Sequence, residues 1–236
     1  MVHMNVDEVV EFLRSHGSEV NREGMSRFGI KVDNAFGISM VDMRSLAKNI
    51  GKDHKLALDL WEAGFHESRI IATVIDVPAQ VTEDQMEQWV VGFDSWDICD
   101  QCCSNLFSRT PYAIAKAKEW SSRDEEYVRR AGFVLMAALA VHDKKAKDEL
   151  FHDFLAIIDS EAADDDRPFV RKAVNWALRQ IGKRNVPLQE AAIRTAESVQ
   201  ARNTRSARWI AADALRELRS EKTTNMIKKR KRSTIR

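Results

Sequence analysis

Apolar residues recur at helical spacing through almost the whole chain, and short pieces of that pattern return 42 and 34 residues later. Val128-Arg129-Arg130-Ala131 aligns with Val170-Arg171-Lys172-Ala173, and Arg171-Lys172-Ala173 aligns in turn with Arg205-Ser206-Ala207. In the second alignment Ala177-Leu178 answers to Ala211-Ala212 in the same register. No run alternates apolar and polar residues as a half-buried strand would. Nine Gly and four Pro also leave little material for the turns of an all-β protein. These features together require an all-α chain.

The spacing predicts helices over 6–15, 18–28, 40–50, 54–63, 67–76, 83–92, 95–107, 111–120, 125–141, 145–158, 168–181, 188–201 and 205–219. Start signals support several of them: Thr82 before Glu83, Thr110 before Pro111, and Asp166 just before Pro168. Repeat offsets of about 35–45 residues, with a small residue at the helix contact, belong to stacked helix pairs of HEAT type. One pair cannot bury its apolar face alone, so stacking is obligatory. The expected fold is a set of HEAT-like helical repeats stacked into a curved α-solenoid with a concave groove. A single repeat domain is expected over residues 1–221, followed by a basic, disordered tail over 222–236.

That tail explains an otherwise featureless net charge of +1. It carries seven Lys and Arg and no acid; removing them leaves 30 basic against 36 acidic residues, so residues 1–221 net −6. A nucleic-acid partner would therefore meet a local basic face or the tail, because the body as a whole does not attract it. Lys228-Lys229-Arg230-Lys231-Arg232 reads equally well as a nonspecific DNA arm or as a solubilising end. No apolar run approaches the roughly 20 residues that span a bilayer, and Met1-Val2-His3-Met4-Asn5 lacks the form of a secretory leader. Cys99, Cys102 and Cys103 share one helix. An odd, clustered set is no disulfide framework and suits a reducing cytoplasm. With no second pair and no His at ligand spacing, they read as small buried hydrophobes rather than a metal or redox site.

Within the helix after Ser95 the stripe Cys99, Cys102, Cys103, Leu106 faces the core, which puts Trp96 and Asp100, four apart, together on its flank. An indole beside a carboxylate can line a pocket, or can be a half-buried core ring beside a solvated acid. On 168–181 the stripe Val170, Val174, Ala177, Leu178, Ile181 leaves Trp176 roughly 160° from its centre. Trp176 then either packs on a second helix or is displayed. Arg129, Arg130, Arg171 and Lys172 open two aligned helices and would form a cationic ladder, suited to phosphates or to plain solvation.

Taken in order, Ser95-Trp96-Asp97-(two residues)-Asp100, Val128-Arg129-Arg130-Ala131 and Lys172-Ala173-(two residues)-Trp176-(any)-Leu178-Arg179 resemble the DNA alkylation repair family of HEAT-like DNA glycosylases, the AlkD type. Phe36-Gly37-Ile38-Ser39-Met40-(two residues)-Met43-Arg44-(any)-Leu46 resembles that family's second-repeat entry, and the likeness runs over about residues 20–215. It implies that Asp100 is the catalytic carboxylate, that Trp96 and Trp176 are cleft tryptophans, and that Arg130 contacts the DNA backbone. Phe28 stands where the family usually has a tyrosine, keeping the ring and losing the hydroxyl. The implied activity is monofunctional release of positively charged N3- or N7-alkylated purines from double-stranded DNA, as in base excision repair. A fixed carboxylate stabilises the oxocarbenium-like sugar and positions water, and tryptophan faces attract the cation. The implied partner is duplex DNA containing alkylated bases, bound by a monomer without metal or small-molecule cofactor. The other reading is a catalytically silent HEAT-repeat scaffold that binds DNA or protein.

Overall fold

The computed structural model describes residues 4–234, with backbone alone at 161–162 and 230–234. Its first seven helices are α1 (Val6–Ser15), α2 (Glu19–Arg27), α3 (Met40–Ile50), α4 (His54–Glu62), α5 (His66–Ile75), α6 (Glu83–Val91) and α7 (Trp96–Asn105). The remainder are α8 (Ala113–Trp120), α9 (Glu126–His142), α10 (Asp148–Asp159), α11 (Pro168–Gly182), α12 (Val186–Ala201), α13 (Arg205–Leu218) and α14 (Glu221–Thr234). No strand occurs among the described residues, and none of the helices there is long and apolar enough to cross a membrane. The chain divides into two compact units, Met1–Tyr112 and Ala113–Arg236, where one domain was expected over 1–221.

In the first unit α5 lies between α3 and α7, with α4 against α5 and α1 against both α4 and α5. Trp61 of α4 stacks on Trp89 of α6, ring centroids 4.1 Å apart and planes 3° apart. The motif Phe36-Gly37-Ile38 is held by Glu67 of α5, a fully buried carboxylate. It accepts hydrogen bonds from the backbone N–H groups of Phe36, Gly37 (2.7 Å) and Ile38 (3.2 Å). Gly37 adopts φ +82°, and a Cβ there would stand 2.2 Å from the Ser18 carbonyl oxygen, so only glycine fits. Ser39 then caps α3 by accepting from Asp42 N–H at 3.2 Å.

In the second unit α9 packs on α11 and α11 on α13, forming one row. α8 backs α9, while α12 packs on α10, α11 and α13. This is the two-layer arrangement that the repeat offsets require. α9 enters the core almost whole, with a continuous buried run from Arg130 to Ala140. Of the start signals, Thr82 caps α6 as expected, accepting from Gln85 N–H at 3.1 Å. Pro168 opens α11, but its N-cap is Arg167, and Asp166 instead accepts from Ser206 Oγ of α13 at 2.7 Å. α8 begins at Ala113, two residues beyond Pro111.

The tail differs from expectation. Residues 221–234 form α14, where disorder was expected. Thr223 and Ile227, four apart, are 5% and 2% exposed and seat the helix. Arg230, Lys231 and Arg232 of the basic run have side chains outside the description, as does all of 235–236.

Candidate functional site

Ile98, Cys99, Cys102, Cys103 and Leu106 are all buried, which fixes how α7 is turned. No disulfide joins the three cysteines. Burial first, then the neighbouring thiols, pushes Cys102 and Cys103 well above the ordinary thiol pKa, with Asp100 adding to the effect on Cys103. Neutral thiols of this kind are packing groups, not nucleophiles. Trp96 and Asp100 come out on the flank of the stripe, both half-buried.

The entrance of α7 is clamped. Asp97 takes His66 Nε2 of α5 at 2.8 Å, the Ser95 hydroxyl at 2.6 Å and the Ile98 N–H at 3.0 Å. Burial by itself would lower the His66 pKa, but the Asp97 hydrogen bond and the charges of Asp97, Glu67 and Asp94 outweigh it and leave the imidazole raised. Burial likewise works to raise Asp97, and His66, Ser95 and the Ile98 N–H overcome it, so its carboxyl is lowered. Asp97 is thus a structural anchor at the start of α7, and Asp100, three residues on, is half-buried.

Trp96 is fixed at its other end. Its indole N–H donates to the Phe28 carbonyl oxygen at 3.0 Å. Phe28 closes α2, just before Gly29 at φ +76°, and the residue is 72% exposed. Phe28 and Trp96 are therefore brought together through the backbone of Phe28, a contact in which a ring hydroxyl has no part.

In the second unit Trp176 is half-buried on α11, with Lys172 one turn earlier. Its N–H meets the Gln180 amide oxygen at 3.0 Å, in the amide orientation that satisfies both groups. The expected ladder of Arg129, Arg130, Arg171 and Lys172 is not a row of equivalent cations. Arg130 is only 5% exposed and donates Nη1 to the Phe169 carbonyl at 2.5 Å, across the α9–α11 contact. Arg129 pairs with Asp165 at 3.3 Å. The Arg171 guanidinium lies over the ring of Trp209, 5.0 Å from its centroid. Lys172 is exposed, its ammonium 5.9 Å from the Phe169 ring. The close approach of α9 and α11 turns Arg130 inward, which the sequence pattern of either helix does not reveal.

Sequence reasoning passed over His66, Asp97 as an anchor, and Trp209. The first two needed knowledge that α5 and α7 are neighbours. Trp209 had a signal: it stands on the polar side of α13, four residues after Arg205.

A solved structure described as "a new family of proteins related to the HEAT-like repeat DNA glycosylases with affinity for branched DNA structures" has the same fold, with a TM-score of 0.76. It shares 21% sequence identity over 91% of this chain and 95% of its own. An uncharacterized protein, Lin0241 of Listeria innocua serovar 6a, is 21% identical over 193 residues, 80% of this chain and 79% of its own length. The DNA alkylation repair enzyme family matches residues 9–226, nearly the full length and including every side chain of the site from Phe28 to Trp209, and the chain belongs to that family.

Proposed function

We propose that the protein is a monofunctional DNA glycosylase that releases N3- or N7-alkylated purines from duplex DNA. The observation that carries this is the state of α7. A carboxylate, Asp100, stands half-buried one turn after an indole, Trp96, whose N–H is held by the Phe28 carbonyl. A carboxylate that reaches solvent beside a fixed ring is the arrangement such chemistry uses.

Alkylation at N3 or N7 makes the purine cationic, so the base leaves without protonation by an acid. What the protein must supply is stabilisation of the positive charge that grows on the sugar. Asp100 does so electrostatically and orients the attacking water. The face of Trp96 attracts the cationic sugar and base. No lysine nucleophile is needed, so no strand cleavage accompanies base loss, and the chemistry calls for no cofactor. Phosphate contacts fall to Lys172 and Arg171 rather than to Arg130, whose Nη1 already serves the Phe169 carbonyl.

The test is single-turnover release of free base from methylated duplex, wild type beside Asp100→Asn. Wild type is expected to release base. The variant is expected to lose about 100-fold or more, the scale of removing one preorganised electrostatic group, with duplex affinity retained. Equal release by both proteins would remove Asp100 from the chemistry.

A second reading is supported by the solved relative with affinity for branched DNA: a DNA-binding member without base release. No release by either protein, with binding to branched DNA intact, would favour it.

A further inference from the structure

We propose that the α11–α13 surface carries a base-stacking shelf, Trp209 backed by Arg171, that takes an unpaired nucleobase of DNA. It rests on the DNA-binding part of the function proposed above and is independent of base release.

Trp209 is set apart from the core indoles. Trp61, Trp89 and Trp120 are 5%, 2% and 0% exposed, whereas Trp209 is 40% exposed. Its ring is not loose, because the Arg171 guanidinium lies over it at 5.0 Å. A cation–π contact of this kind orients the ring and leaves the exposed part of its face for another planar group. Every base has such a face, so stacking on it would not depend on sequence.

The charges around the ring point to an anionic chain. Among the described residues, Arg171, Lys172, Arg205 and Arg208 have no carboxylate partner: Arg171 and Lys172 meet rings, and Arg208 turns back to Asn203. Other cations nearby are paired: Arg167 with Asp165, Arg202 with Asp164, Arg179 with Glu217. The acids closest in sequence are also engaged. Asp213 faces Arg179 at 3.6 Å and pairs with Arg216, and Asp166 accepts from Ser206. All four unpaired cations lie in the first two turns of α11 and α13, where the helix dipole adds positive potential. Arg205 stands one turn before Trp209 on the same face of α13, which would place a phosphate contact beside a stacked base. An apolar protein partner would gain nothing from an exposed ring carrying one guanidinium on two helices with three further cations that have no carboxylate; a nucleotide uses both.

The experiment measures binding of the full chain to two labelled DNAs with the same paired sequence, a blunt duplex and a fork with unpaired arms. Wild type is expected to prefer the fork. Trp209→Ala should lose about tenfold on the fork, within the range of one base–aromatic stack, with blunt-duplex affinity unchanged. Trp209→Phe, which keeps a ring, should retain most of the preference, and a melting temperature for each variant checks the fold. Arg205→Gln should reduce the salt slope on the fork by about 0.7, the share of one phosphate on a single strand. An unchanged fork affinity in Trp209→Ala, or an equal loss on both DNAs, would overturn the shelf and leave the DNA-binding function standing. Wild type that bound neither DNA would overturn both.

Discussion

At the scale of single residues, two neighbours on α5 hold separate parts of the first unit. Glu67 gathers the Phe36, Gly37 and Ile38 N–H groups that would otherwise be buried without partners. His66 holds Asp97 and with it the start of α7, immediately beside Trp96. The His66–Asp97 pair predicts a pH dependence whose sign follows from the two shifts. His66 is raised, so its contribution is full below the unfolded value near 6.5 and is lost as pH rises through the higher folded value. Asp97 is lowered, so its contribution is full above about 3.8 and is lost only as pH falls through the lower folded value. The pair is strongest between those limits. His66→Ala should cost about 2 kcal/mol at pH 5.5, because Asp97 keeps Ser95 and the Ile98 N–H, and clearly less at pH 8.5. Urea unfolding of both proteins at the two pH values measures this; an equal cost at both would show that the charge on His66 contributes nothing to the pair.

At the scale of elements, helix contacts are set by where backbones come close. Gly132 lies in α9 where it crosses the end of α8, and an added Cβ would meet Ser121 N at 2.4 Å and Trp120 C at 2.9 Å. Those are backbone atoms that cannot rotate away. Gly132→Ala gains about 1 kcal/mol in helix propensity but incurs overpacking of about 3 kcal/mol, so the net effect is a loss and a melting temperature lower by several degrees. Gly24 in α2 meets nothing within 4 Å, so Gly24→Ala should raise the melting temperature slightly. Scanning calorimetry of the two variants should give shifts of opposite sign. α14 shows the same logic in a basic segment: two residues spaced one turn apart, Thr223 and Ile227, dock it, although its composition alone reads as disorder.

At the scale of the whole molecule, electrostatics argues for a local rather than a global attraction to DNA. Residues 1–221 net −6, so binding must draw on the tail or on clusters such as the α11–α13 cations. Lys228 and Lys229 are exposed on α14. If they contact phosphates, replacing both with Gln should reduce the slope of log K against log salt on duplex DNA by about 2. An unchanged slope would leave α14 outside the interface and make it a solubilising end.

Thirteen of the fourteen α-helices among the described residues could be read from the sequence, because helical periodicity is a property of neighbours three and four residues apart. The burial of Cys99, Cys102, Cys103 and Leu106, and with it the flanking place of Trp96 and Asp100, followed from that same periodicity on one helix. The repeat offsets likewise implied stacked pairs, since a helix pair has to bury its apolar face on the next. What the sequence could not contain is which polar groups meet across those stacks. Arg129 and Arg130 are adjacent and identical, yet one pairs with Asp165 and the other is buried against the Phe169 carbonyl. Likewise nothing local to α7 marks Asp97 as the acid that an α5 imidazole meets. The partners lie about 30 to 40 residues away in the chain, and the fate of a charge depends on what burial puts beside it. Local spacing therefore determined the helices and their faces. Tertiary contact alone decided which charges are taken up in the fold and which remain available to a ligand.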